Sequence, residues 1–153
     1  MNELKKWAVV VFSIAGTGIS GYLLWSHMAG QEVACVQWLD CNLVLNSAYS
    51  VVKGIPVSLL GLLGFFSVFI VTLIQFSPNH GANKILRLVR FGISLTGFLF
   101  SCYLTYIEFF VIAAICMWCV ASLTVISIIL SITILDVTSD VQSRSTPVSN
   151  KLE

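Results

Sequence analysis

Charge is what this sequence has least of. Only 10% of its 153 residues are Asp, Glu, Lys or Arg, against about 25% in a soluble domain. That is too little polar surface to face water, so a soluble globular protein is excluded and a one-domain integral membrane protein is expected. The net charge is +1, which leaves no electrostatic case for binding nucleic acid. Repeats and low-complexity stretches are missing as well. The few charges cluster at the ends and between apolar blocks, as they must when lipid excludes them.

What is present is apolar sequence, 58% of all residues. It falls into four runs, about 7–25, 55–76, 88–110 and 112–135. Each reaches the roughly 20 residues that a bilayer crossing takes. None alternates in polarity as a spanning strand does. The predicted fold is all-α, a bundle of four transmembrane helices with an outer loop over 27–54. The third and fourth runs nearly abut, which predicts a tight antiparallel hairpin near residue 111. The first run follows Lys5 and Lys6, as a signal peptide would. Its apolar part exceeds the roughly 7–15 residues of such a segment. "LLWSHMAGQ", with Trp25 and His27, also lacks an A-x-A cleavage pattern, so a retained span is predicted. Residues 136–153 are polar and read as a disordered cytoplasmic tail.

Lys and Arg in short loops set orientation. Lys5 and Lys6 precede the first span; Lys84, Arg87 and Arg90 lie between or near the second and third; Arg144 and Lys151 follow the fourth. The 27–54 loop holds only Lys53. Both termini are therefore expected in the cytoplasm, with that loop and the turn near 111 on the outer, periplasmic face of the cell membrane. Trp25 and Trp118 then fall at the outer interface and Trp7 at the inner one, as an aromatic belt.

That topology gathers four of the five cysteines on one face. Cys35 and Cys41 lie in the outer loop, and Cys116 and Cys119 open the fourth span as C-M-W-C. Disulfides form and persist outside the cytoplasm. One pair in a loop and one fixed at the membrane edge is the layout of a thiol relay, since exchange requires a thiolate to reach a disulfide. A helix N-terminus favours thiolate, and a pair at membrane depth can pass electrons to a lipid-soluble acceptor such as a quinone. Other readings stay open on spacing alone. Cys35 and Cys41 could staple a loop, and four cysteines could form a tetrahedral zinc site, although no His accompanies the second pair. Cys102, in mid-span, reads as a small packing residue.

The ordered motifs CVQWLDCNLVLNSAYS, KGIPVSLLGLLG, YLTYIE and CMWC span nearly the whole folded chain, about residues 8–135. Together they resemble the vitamin K epoxide reductase family in its bacterial form. The DsbB family is similar in span number and cysteine pairs, but there the C-x-x-C precedes the loop pair. The resemblance implies a four-helix bundle around a quinone (menaquinone, ubiquinone or phylloquinone), capped by the outer loop. It implies that Cys116 and Cys119 are the active-site pair, with Cys119 beside the quinone and Cys116 exchanging with the loop. Cys35 and Cys41 would be the shuttle pair, Cys41 reacting with Cys116 and Cys35 facing a thioredoxin-like (DsbA-like) protein. The family's functional serine stands six residues after the second loop cysteine, which is Ser47 here; a serine in "NSAYS" is also a common helix cap.

The implied activity is thiol–quinone oxidoreduction that supports disulfide formation. The alternatives are vitamin K quinone or epoxide reduction in the substrate-reducing sense, and a non-catalytic membrane scaffold with a stapled loop. Two departures bear on these. Vertebrate members carry a tyrosine four residues after the second active-site cysteine, where this chain has Leu123. Many bacterial members carry a fused thioredoxin-like domain, and after Glu153 the partner is expected to be a separate protein. Glu108, at the outer end of the third span, is a functional candidate by depth and is read here as a hydrated interfacial carboxylate. Gly18, Gly21, Gly61, Gly64, Gly97 and Ser101 are expected to let helices approach closely.

Overall fold

A computed structural model describes residues 3–35, 41–52, 54–76 and 80–149. Lys53 and Lys151, which entered the count of loop cations, lie outside the described residues. Among the described residues, four helices are long and apolar enough to cross a membrane. They are α1 (Glu3–Ala29), α3 (Val57–Ile74), α4 (His80–Ile107) and α5 (Met117–Ser149). Between α1 and α3 lie a short helix α2 (Cys41–Leu45), a 3₁₀ turn (Ala48–Ser50) and a two-stranded antiparallel hairpin, β1 (Val51–Val52) with β2 (Ile55–Pro56). The fold is the four-helix membrane bundle that the hydropathy pattern predicts.

Each element has a local cause. α1 ends where Gly30 takes φ +61°, a value that costs glycine nothing. The Gln31 N–H then reaches back to the Ser26 carbonyl at 3.1 Å and closes the helix end. Gly54, at φ +84°, turns the β1–β2 hairpin. Pro56 directly precedes α3, where its missing N–H would have no helical partner.

α1 packs on α3 and α5, and α4 packs on α5 and α3. Val9, Phe65, Val68, Ile126 and Ile129 form the middle of the core. Large side chains such as Leu63, Phe66, Leu99 and Leu135 point outward. A helix apolar all round needs an apolar solvent on its outer face. Neighbouring helices crowd the glycines at Gly16 and Gly61. A methyl at Gly16 would overlap the Phe65 ring, and one at Gly61 would come within 3.0 Å of Ser20 Oγ. Gly18 and Gly64 instead face open space, so close approach rests on only some of the expected positions.

One end of the bundle is locked by polar groups. Arg90 is 0% exposed and donates to Gln75 Oε1 at 2.8 Å and to Asp136 Oδ2 at 3.0 Å. Arg87 Nε lies 3.7 Å from the same carboxylate oxygen. This ties α3, α4 and α5 together. Asp136, placed by the sequence in a disordered tail, is 1% exposed and sits inside α5, which runs on to Ser149. The tail prediction missed the buried arginine that pulls Asp136 into the bundle. Removing one member of a buried pair leaves the other uncompensated, at a cost of about 3–5 kcal/mol. Asp136→Ala should therefore lower stability by about that much in a denaturant titration in mixed micelles. Replacing both Arg90 and Asp136 by Met and Leu should recover most of the loss.

Candidate active site

α5 begins at Met117, so Cys116 stands just before the helix and Cys119 lies in its first turn. The chain arrives there by an irregular route. After α4 comes a π-helical turn, Glu108–Ile112, and residues 113–116 then run without helix. Ala113 adopts φ 53°, a left-handed conformation that costs a non-glycine residue about 1–2 kcal/mol. The fourth helix thus starts at Met117 rather than near residue 112, and the expected tight hairpin is a wider connection. As a result Cys116 is a capping residue and not a residue on a helix face.

Glu108 holds this connection from two sides. Its backbone carbonyl accepts the Ala114 N–H at 3.2 Å, and its Oε2 accepts the Cys116 N–H at 3.3 Å. Glu108 is 2% exposed, so the expected hydrated interfacial carboxylate is overturned. The physical reason is the break in the helix, which leaves backbone donors unpaired at membrane depth and draws an acceptor inward.

The Cys116 carbonyl accepts the N–H groups of Cys119 and Val120, each at 3.1 Å, and opens α5. The neighbouring Cys119 thiol foremost, and then the nearby N–H groups of Cys119 and Trp118, hold the Cys116 thiol below its ordinary value despite burial.

The outer loop brings the other pair. Cys35 and Cys41 form a disulfide, with Cα atoms 6.0 Å apart. The segment leading to Cys35 is fastened at three points. The Val33 N–H donates to Asn42 Oδ1 at 2.8 Å, and the Ala34 N–H to the Tyr22 hydroxyl at 3.2 Å. The Trp118 indole N–H donates to the Ala34 carbonyl at 2.9 Å. The Tyr22 and Trp118 rings meet at 5.2 Å between centroids. Trp118, expected to mark the interface, thus also clamps the loop to α5. Cys41 and Cys116 are both fully buried in one cluster with Leu23, Val33 and Val44, and Cys35, Cys119 and Trp118 pack against it. Cys102 stands apart, half-buried in α4 and free.

Beside the cluster lies a cavity of about 130 Å³. Leu23, Phe65 and Phe100 give it apolar walls, and Ser47, Glu108 and Cys119 give it polar atoms. Of the four outer cysteines only Cys119 reaches this wall. Ser47 precedes the 3₁₀ turn, but its hydroxyl makes no cap there. It donates to the Val44 carbonyl at 2.7 Å while facing the cavity. Leu123 packs into the middle of the core, and Ser122 lines the cavity instead.

A multi-pass membrane bundle that gathers a loop disulfide and a helix-head thiol pair in one cluster beside an apolar cavity defines a class, the membrane proteins built for thiol chemistry at the lipid boundary. Within that class, the model of the vitamin K epoxide reductase family matches residues 7–134, and the chain belongs to that family. Membership implies membrane thiol–quinone oxidoreductase activity. Proteins of the family use quinones and generally work with a thioredoxin-like partner.

Sequence reasoning undervalued Glu108, and a signal was present. It is the only carboxylate between Asp40 and Asp136. The roles of Tyr22, Asn42 and Trp118 left no such trace, because they depend on where the loop lands. Two outcomes check this geometry. Trp118→Phe and Tyr22→Phe each remove a bond to Ala34, worth about 1 kcal/mol. Amide exchange over residues 33–35 should quicken several-fold in each variant, with exchange in α5 unchanged. In reduced protein, thiolate absorbance from Cys116 should persist to lower pH than for an ordinary thiol. Cys119→Ala removes the foremost donor and should shift that onset to higher pH.

Proposed function

We propose that the chain oxidises a thioredoxin-like protein outside the cytoplasm and delivers the electrons to a membrane quinone. The observation that carries this is the gathering of all four outer cysteines at one cluster, Cys41 and Cys116 buried in it and Cys35 and Cys119 packed against it, with Cys119 alone of the four reaching the cavity. Apolar walls suit a flat ring, and the polar atoms of Ser47, Glu108 and Cys119 suit its oxygens. A bound quinone supplies the two-electron sink.

The partner's dithiol reduces the Cys35–Cys41 disulfide, and the partner leaves oxidised. The Cys41 thiolate then attacks Cys116 of a Cys116–Cys119 disulfide. The Cys41–Cys116 bond forms and Cys119 departs as thiolate. Cys35 attacks Cys41, restoring the loop disulfide and freeing Cys116. Two electrons and two protons from Cys116 and Cys119 convert quinone to quinol and remake their disulfide. The helix-cap position of Cys116 suits it to be the sulfur in exchange. Ser47, whose hydroxyl bonds the Val44 carbonyl at the cavity wall, would be the residue to hold a quinone oxygen. The termini lie in the cytoplasm and the cysteine pairs on the periplasmic face, following the loop cations.

The test is quinone reduction by a reduced thioredoxin-like protein in vesicles carrying the chain. Cys119→Ala should accumulate a Cys41–Cys116 cross-link, seen by mass after thiol alkylation, and should abolish quinol formation. Cys102→Ala should retain near-normal turnover. Quinol formation that survives loss of Cys116 or Cys119 would overturn the relay.

A further inference from the structure

Glu108 is the one acidic side chain among the described residues that line the cavity, and no Lys, Arg or Asp lines it with Glu108. A carboxyl group at this depth is a costly choice if capping is its whole task. The Cys116 N–H could be met by a serine or an asparagine, which cap helices without an ionisable group. The position of the group says more. Its Oε2 takes the Cys116 N–H at 3.3 Å, and it shares the cavity wall with Cys119. One carboxylate therefore stands beside the thiol pair and on the space where the acceptor would lie.

We infer that Glu108 is the proton carrier of the last step, taking the proton from Cys119 Sγ and giving it to an oxygen of the acceptor. The inference rests on the reading of the cavity as a quinone site. The balance is closed. Cys116 and Cys119 lose two electrons and two protons, the bond between their sulfurs forms, and the quinone gains both electrons and both protons as quinol. Glu108 moves one of the protons and ends each cycle as it began. His27 and Tyr49 share this wall, but among the described residues Glu108 is the titratable group of the wall that bonds the active-site turn, at the Cys116 N–H. The titratable groups that line the cavity or touch Glu108 from neighbouring elements are His27 of α1, Tyr49 of the outer loop, Cys116 and Cys119.

Glu108→Gln tests this, because the amide keeps an acceptor for the Cys116 N–H and cannot carry a proton. The first readout needs no quinone. In the infrared spectrum of the reduced, quinone-free protein, the S–H band lost in Cys119→Ala should move in Glu108→Gln as its acceptor weakens. The second readout is turnover with a short-chain quinone and dithiothreitol. Loss of general acid–base catalysis predicts a fall in kcat of about 10²-fold or more with little change in KM. The acid limb of the wild-type pH profile, where a protonated carboxyl can no longer accept, should vanish in Glu108→Gln and remain in His27→Gln. Glu108→Asp should recover part of the rate. An unmoved S–H band, or a kcat within about 3-fold of wild type with the acid limb intact, would overturn the assignment. If the wild-type chain itself reduces no quinone, it is the quinone reading that fails, and the S–H band still decides whether Glu108 holds the Cys119 proton.

Discussion

The active end of this protein depends on how a broken helix is satisfied inside a membrane. Lipid offers no hydrogen bonds, so every backbone donor freed by a break must find a partner within the protein. Between α4 and α5 the chain breaks at residues 113–116, and Glu108 supplies two acceptors, its carbonyl and its carboxylate. That places Cys116 at a helix cap and Cys119 one turn inward. The division between a thiol that meets the loop and a thiol that meets the cavity follows from this placement. A helix continuous from residue 112 would have set both sulfurs on one face and left Cys116 without its cap.

The two ends of the bundle meet the same constraint in different ways. At the far end Arg90, Gln75 and Asp136 pair with one another and knit three helices. Asp136 follows Cys119 by 17 residues of α5, about 25 Å of helix rise. The lock and the thiols are thus separated by nearly the depth of the hydrocarbon layer. A bundle fixed at one end can carry an irregular, strained connection at the other. Among the described residues, the stretch before Cys35 is fastened by bonds at Val33 and Ala34.

Much of the site was legible in order of residues. The pairing of a loop C-x₅-C with a later C-x-x-C, one pair outside a span and one at its head, pointed to thiol exchange before any coordinates. The four helices and the separate position of Cys102 were equally readable. The start of α5 was not, because the apolar run passes through residues 112–116 without a polar break. The role of Trp118 was hidden as well. An aromatic at an interface reads as a belt residue until a carbonyl from residue 34 is found on its indole N–H.

Composition and pattern alone determined that this chain lives in a bilayer, crosses it with helices and carries one cysteine pair between apolar runs and another near the start of the last run. These follow from transfer free energy and from length, which are properties of segments taken singly. Tertiary structure alone decided which sulfur faces the cavity, why Asp136 belongs to the bundle, and that Glu108 is buried beside the active-site turn. Each of these depends on a partner distant in the chain or on a helix end whose location hydropathy does not mark. Burial of a charged side chain is a bargain struck between segments, and no single segment reveals it.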